Sequence, residues 1–268
     1  MTYSRFLLVF IVLPILVLAV LLALRARTLP RPSPLGSVGR ASAALLASLI
    51  VVATLYTFPW DNHLIASHVW SYNPALVSGI TLGWIPLEEL LFFPLQTLLV
   101  ALWLFWLAPP PATPAAKVRP SRCVRLIATL IASCVWLVAL VMLLAGWPQA
   151  TYLGWELAWA LPPLILQLCV GAGILWRDSH LLVAAIAPAM LYLSAADALA
   201  IHMGIWTIDP HQSTGLLIGG TLPLEELVFF LLTTTLVTAG LHLGRSLAPL
   251  VRPRGITMLR LSSSRRQP

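Results

Sequence analysis

Charge is what this 268-residue chain has least of: only 9% of its residues are Asp, Glu, Lys or Arg, too few to cover the surface of an ordinary soluble domain. With 59% hydrophobic residues and a mean hydropathy of +0.92, the chain reads as an integral membrane protein. The net charge of +7 would fit a nucleic-acid partner, but the basic residues are placed as topology signals instead, and no nucleic acid is expected. Lysine occurs once, at Lys117. Three cysteines, Cys123, Cys134 and Cys169, lack metal spacing and lie in apolar runs, which excludes a disulfide framework or zinc site and leaves them as packing residues. No Gly-x-Gly-x-x-Gly follows a strand, so no nucleotide cofactor is expected. No Asp-x-x-x-Asp run is present to chelate Mg²⁺ on a diphosphate. None of the six histidines has a Glu-x-x-His partner, and no metal is expected either.

Long apolar runs are what the chain has instead. They fall at about 6–24, 41–59, 75–107, 124–145, 155–176, 181–203 and 214–243, each long enough to cross a bilayer. The first lacks a small-residue cleavage pattern before Arg25-Ala26-Arg27 and is read as a retained helix. Basic residues crowd alternate connections: Arg25, Arg27, Arg31 and Arg40, then Lys117, Arg119, Arg122 and Arg125, then Arg177 and the tail. The other connections hold none. By the excess of Lys and Arg on the cytoplasmic side, the N-terminus lies outside and the C-terminus in the cytoplasm of a multi-pass cell-membrane protein. The Pro-rich segment 108–114 cannot continue a helix and reads as an extended linker. The tail reads as disordered, near anionic headgroups.

One stretch occurs twice. Pro86-Leu87-Glu88-Glu89-Leu90-Leu91-Phe92-Phe93 returns as Pro223-Leu224-Glu225-Glu226-Leu227-Val228-Phe229-Phe230. Upstream, Asp61, Trp70, Asn73-Pro74 and Gly83 match Asp197, Trp206, Asp209-Pro210 and Gly219-Gly220, offset by 136 residues up to each loop proline and 137 after it. The second span therefore corresponds to the sixth and the third to the seventh. Two matched units four crossings apart share one orientation in the membrane. The expected fold is all-α: seven transmembrane helices, as two parallel three-helix repeats joined through a linking fourth helix. The first half covers 1–112, the linker and fourth span 113–147, the second half 148–247 and the basic tail 248–268.

Of nine acidic residues, six (Asp61, Glu88, Glu89, Asp197, Glu225 and Glu226) occupy matched positions. An ionisable residue in hydrocarbon is costly and marks a functional site by default, although a lone glutamate also serves to staple helices. The glutamates lie about ten residues into their apolar runs, or shallower if the proline starts the helix proper. Successive side chains point about 100° apart, so one of each pair faces a cavity and its neighbour another helix. Burial favours the neutral carboxylic acid, the form that donates a proton. Phe92, Phe93, Phe229 and Phe230 beside them offer π-faces that stabilise a cation. Trp70 and Trp206 are candidates for the same role, with interfacial anchoring as the alternative.

These residues resemble the integral-membrane carotenoid (lycopene) cyclases: Phe58-Pro59-Trp60-Asp61-Asn62-His63, Gly83-Trp84-Ile85-Pro86-Leu87-Glu88-Glu89 with Phe92-Phe93, then Asp197, Gly204-Ile205-Trp206 and Pro223-Leu224-Glu225-Glu226 with Phe229-Phe230. The chain looks like the fused two-half form without a synthase, and unlike the flavin-binding type. Ala198 stands where the first half has Asn62, which leaves Asn62 without a doubled role. The resemblance implies that a linear carotenoid is the substrate, with other carotenoid-biosynthesis enzymes as partners in the membrane. It implies ring closure begun by protonation of a terminal alkene, with Glu88, Glu89, Glu225 and Glu226 as acid and base and Asp61 and Asp197 as proton suppliers or orienters. Glu88→Gln and Glu225→Gln are each expected to depress cyclisation. A retinal-binding protein would need a buried lysine. A proton-coupled transporter would carry protons on the same carboxylates, but the chain has no other polar cluster to bind a substrate.

Overall fold

The computed structural model describes residues 1–28, 38–108 and 122–251. The linker from Pro109, including Lys117, and the tail from Arg252 lie outside the described residues. Among the described residues seven helices are long and apolar enough to cross a bilayer. They are α1 (Tyr3–Arg27, with a π-helical stretch Leu8–Val12), α2 (Val38–Ala66), α3 (Leu87–Leu107), α4 (Arg122–Leu144), α5 (Thr151–Arg177), α6 (Ser179–His202) and α7 (Leu224–Val251). Their outer faces carry exposed Leu126, Ile131, Val138, Leu166 and Val183, the side chains a bilayer would cover. Cys123, Cys134 and Cys169 are free and exposed on such faces, which corrects their reading as packing residues. An unbroken apolar run does not distinguish a lipid-facing position from a core one.

The helices α3 and α7 form the centre, with 44% and 50% of their apolar windows buried within the protein, against 6% for α2. Each half repeats one packing scheme. The helices α1 and α2 pack on α3 as α5 and α6 pack on α7, α2 also reaches α7 as α6 reaches α3, and α4 lies along α5. Where α3 and α7 meet, the Gln96 amide donates to the Thr233 hydroxyl at 2.8 Å.

Prolines tie the halves together. Pro14 in α1 and Pro163 in α5 cannot donate to the carbonyls four residues back, Phe10 and Trp159. In hydrocarbon those carbonyls need other partners. Tyr192 of α6 donates to Phe10 O at 2.8 Å, and Tyr56 of α2 donates to Trp159 O at 2.9 Å, so each half caps the other. Pro162 frees Ala158 O in the same way, and Trp136 of α4 donates to it at 3.2 Å.

The apolar runs expected from residues 75 and 214 are not helical throughout. Each opens with a hairpin, β2–β3 (Thr81–Leu82, Ile85–Pro86) and β5–β6 (Leu217–Ile218, Leu222–Pro223). Gly83 and Gly219 turn these hairpins at φ +65° and +61°, a region glycine enters without steric cost. Pro86, extended at φ −61° and ψ 149°, ends the first hairpin and precedes α3. Asn62, left without a doubled role by the sequence, braces the first hairpin by accepting from the Trp84 amide at 2.7 Å.

Before each hairpin runs a short strand, β1 (Trp70–Tyr72) and β4 (Trp206–Ile208), and the two pair antiparallel with Tyr72 opposite Trp206. The flanks are reciprocal: Asn73 N donates to Ile205 O and Asp209 N to Val69 O, both at 2.9 Å. This ribbon joins the two halves at one end of the bundle. Alternation turns Ser71 and Thr207 outward, where their hydroxyls meet at 3.2 Å, and leaves Trp70, Tyr72 and Trp206 facing inward.

Candidate functional site

Beneath the ribbon lies a cavity of about 50 Å³ lined by both halves. Asp61 reaches it from α2 and Asp197 from α6, Glu89 from the first turn of α3 and Glu226 from the first turn of α7. Trp70, Trp206, Phe92, Phe93, Phe229 and Phe230 complete the set expected from the sequence. Its lining holds four carboxyl groups and three phenols, and no Lys, Arg or His. Asp61 and Asp197 each lie within electrostatic reach of both glutamates. Asp61 Oδ2 and Asp197 Oδ2 are buried without a hydrogen-bond partner. Among the described residues no group of three His, Cys, Asp or Glu is arranged to hold a metal ion.

The helix starts decide which glutamate of each pair faces inward. Because α3 begins at Leu87 and α7 at Leu224, both pairs fall in a first turn rather than ten residues deep. Glu88 turns back to its own loop, where Oε1 accepts from Ser78 N and Ser4 Oγ, both at 2.8 Å, and Oε2 from Ser78 Oγ at 3.0 Å. Glu225 does the same with Thr214 N at 2.6 Å, the matching position of the second half. Both are buried, and neither lines the cavity. A carboxylate in this position gains from the helix dipole and from backbone donors. The neighbour of each cavity glutamate therefore holds the loop before its own hairpin, and Glu88 also reaches another helix, α1, through Ser4.

Two partners of the cavity glutamates carry no motif of their own. Tyr3 of α1 donates to Glu89 Oε2, and Tyr152 of α5 donates to Glu226 Oε1 at 2.8 Å. The backbones of these tyrosines are anchored alike, Tyr3 N on Leu76 O at 2.8 Å and Tyr152 N on Gln212 O at 2.9 Å. Aligning α1 with α5 on Tyr3/Tyr152 and Pro14/Pro163 was the signal available in the sequence. Tyr72 is the third phenol, and it accepts from Trp70 Nε1 at 3.2 Å. Burial, and then the neighbouring Glu89 carboxyl, push the Tyr72 phenol well above its ordinary value.

Also unmarked by the repeat are Trp60 and Trp159, stacked at 4.5 Å and 18°, with the Phe229 ring 6.1 Å from each. Trp60 Nε1 donates to Trp155 O at 3.0 Å. Glu156 of α5 is fully buried behind Glu226, with neither carboxyl oxygen hydrogen-bonded.

An acid cluster walled by aromatic rings and built equally from two halves suits the protonation of an apolar molecule and the shielding of the cation that results. A family model described as "Lycopene cyclase" matches residues 2–107 and 125–243. The lycopene beta-cyclase of Halobacterium salinarum is 41% identical over 204 residues, covering 76% of this chain and 83% of that protein. The bifunctional lycopene cyclase/phytoene synthases of Podospora anserina and Gibberella fujikuroi are 36% and 33% identical, and each match covers 73% of this chain and 34% of theirs. The chain thus spans about a third of those fungal proteins. No solved structure matches. With nearly the whole of both halves matched, the chain belongs to the lycopene cyclase family.

Proposed function

We propose that the protein is a carotenoid cyclase that closes ionone-type rings at the ends of lycopene or a related linear carotenoid. The observation that carries this reading is the convergence of Asp61, Glu89, Asp197 and Glu226 on one aromatic-walled cavity with no cation in its lining. Four carboxyl groups so close cannot all be ionised away from water, so the cluster shares protons. A linear carotene offers no polar handle, and its terminal alkene is the group a strong enough acid attacks.

The steps balance without an oxidant. A cavity carboxyl, Glu226 or Glu89, gives its proton to the terminal double bond and leaves a tertiary cation. The neighbouring double bond attacks that cation and closes a six-membered ring, moving the positive charge into the ring. The carboxylate of the facing glutamate takes a ring proton, so the product is an isomer of the substrate. Asp61 and Asp197 return the proton to the first glutamate, and Tyr3 and Tyr152 orient the two glutamates through their hydrogen bonds. Phe92, Phe229 and Phe230, with Trp60, Trp70 and Trp206, turn π-faces or edges toward the cation and exclude water. Glu88 and Glu225 hold the loops that lead into the hairpins and stay outside the proton path.

The distribution of Lys and Arg places this end of the bundle at the outer face, with the N-terminus outside and the C-terminus cytoplasmic. Residues 1–112 and 148–247 act as the two halves, and 113–147 joins them. A substrate insoluble in water reaches such a protein through the bilayer, from carotenoid-forming enzymes in the same membrane. The test is expression in cells that accumulate lycopene. Appearance of a cyclic carotene supports the reading, and its absence from cells holding the folded protein overturns it.

A further inference from the structure

Two apolar clefts open on the flanks of the bundle, of about 400 Å³ between α2, α3, α5 and α7 and about 380 Å³ between α1, α3 and α6. They are the same cleft in the two halves: Ala53, Tyr56 and Pro163 line the first where Ala189, Tyr192 and Pro14 line the second. Both volumes fall in the range of small-molecule pockets, about 300–1,000 Å³.

The repeat is broken at the point where a cleft meets the acid cavity. The first cleft shares Phe93 and Phe229 with the cavity wall, whereas the second shares no lining residue with it. A run of near-parallel rings leads inward from the first cleft, from Tyr56 to Trp159 (6.1 Å, 22°), to Trp60 (4.5 Å, 18°) and to Phe229 (6.1 Å, 3°). On the other side the position of Trp60 is taken by Ala196, and the run has no ring there. Most of the polar groups that line the first cleft are paired: Gln96 with Thr233, Thr97 Oγ1 with Phe93 O at 2.9 Å and Gln167 Nε2 with Leu236 O at 3.0 Å, while Gln167 Oε1 and Trp159 Nε1 are buried without a partner.

We infer that the first cleft is the seat of the substrate's polyene chain, whose end group passes between Phe93 and Phe229 to the acids, and that the second cleft holds no substrate. This rests on the cyclase reading above. A flat conjugated chain makes no hydrogen bonds and gains from apolar walls and ring faces, which this cleft supplies. The cavity, at about 50 Å³, takes only the end, so the polyene needs a seat outside it. One seat joined to one acid cluster means that the two ends of a substrate react one at a time, with withdrawal and reversal of the chain between them.

The repeat-related alanines make the test. Ala53→Phe fills the first cleft and Ala189→Phe the second, with Ala53→Leu and Ala189→Leu as smaller replacements should either phenylalanine lower the melting temperature in detergent. Two readouts are taken on each purified protein: quenching of tryptophan fluorescence by added lycopene, and formation of cyclic product from it. The expected result is that Ala53→Phe weakens quenching and raises KM about tenfold or more, while Ala189→Phe changes both by less than about twofold. Equal effects of the two substitutions, or a larger effect of Ala189→Phe, would overturn the assignment, including the case in which membrane lipid fills both clefts alike. Quenching separates the two proposals. Lycopene bound through the first cleft and never cyclised sinks the cyclase reading alone, and cyclisation indifferent to Ala53→Phe sinks the cleft alone.

Discussion

Replacing the two adjacent glutamates of the second half one at a time separates a proton donor from a loop brace. Glu225 and Glu226 are neighbours in sequence and both buried, yet Glu226 lines the cavity and Glu225 accepts from the Thr214 amide at 2.6 Å. A glutamine at 226 keeps the shape and the acceptor for Tyr152 but has no acidic proton. Loss of a general acid or base costs about 10²–10⁴-fold in rate, or about 2.7–5.4 kcal/mol of barrier at 1.36 kcal/mol per tenfold. A glutamine at 225 keeps an oxygen for the Thr214 amide, so the change is confined to that one hydrogen bond, at a cost of about 1 kcal/mol. In a chain of this length that lowers the melting temperature by about 2–4 °C and leaves turnover within a few-fold. The assay is product formed per milligram of purified protein from lycopene in proteoliposomes, with a melting curve in detergent for each variant. The reasoning fails if Glu226→Gln keeps more than about a tenth of wild-type turnover, or if Glu225→Gln abolishes turnover in a protein that melts as wild type does.

Three further outcomes follow from the geometry. Tyr192→Phe strands the Phe10 carbonyl freed by Pro14, so it should destabilise the protein by about 1–3 kcal/mol with little change in turnover; an unchanged melting temperature would contradict the cap. Glu156→Leu removes two buried carboxyl oxygens that have no partner and should raise the melting temperature, and a fall would show that Glu156 is bonded in the membrane. Asp178, between α5 and α6, accepts from Arg177 at 2.7 and 2.6 Å and faces His242 Nε2 at 2.7 Å, and these bonds, that of Arg177 first, hold its carboxyl below the usual range. A depressed value means that the stability it lends is full above the ordinary Asp value of about 3.9 and is lost as pH falls through the folded one. The gap in melting temperature between wild type and Asp178→Asn should therefore begin to narrow as pH falls below about 4, and a gap independent of pH would refute the linkage.

The seven spans were legible because hydrocarbon leaves few choices: a run of about 20 apolar residues must be a helix. The doubled acids were legible because six of nine carboxyls sit at matched positions. Hydropathy did not reveal where α3 and α7 begin, since Leu76, Val77 and Ile80 of the loop and Leu82 of the first hairpin are as apolar as the helix after them. That one boundary decides which glutamate of each pair turns inward, and on it rests the proposal that, of the four candidate glutamates, Glu89 and Glu226 carry the acid and base roles.

Tyr3 and Tyr152 are unmarked in the sequence for another reason. The helices α1 and α5 share little beyond those tyrosines and Pro14/Pro163, because most of their positions need only to be apolar. The departures from the repeat were visible as residues but not as consequences. Trp60 against Ala196 is a single difference in sequence, and only the stacking of Trp60 between Trp159 and Phe229 gives it a direction, toward one cleft and away from the other. Glu156 is likewise one acid without a counterpart, and its burial behind Glu226 is a matter of packing.

In the proposed chemistry, ring closure begins with a proton from the carboxyl cluster and ends with a proton returned to it. Cyclisation of lycopene by the purified protein in heavy water, followed by mass spectrometry of the product, tests this most directly. Carboxyl protons exchange with solvent between turnovers, so the account predicts one deuterium retained at each ring formed and otherwise no change from the substrate's composition. A cyclic product without deuterium, or one poorer than lycopene by two hydrogens, would contradict it.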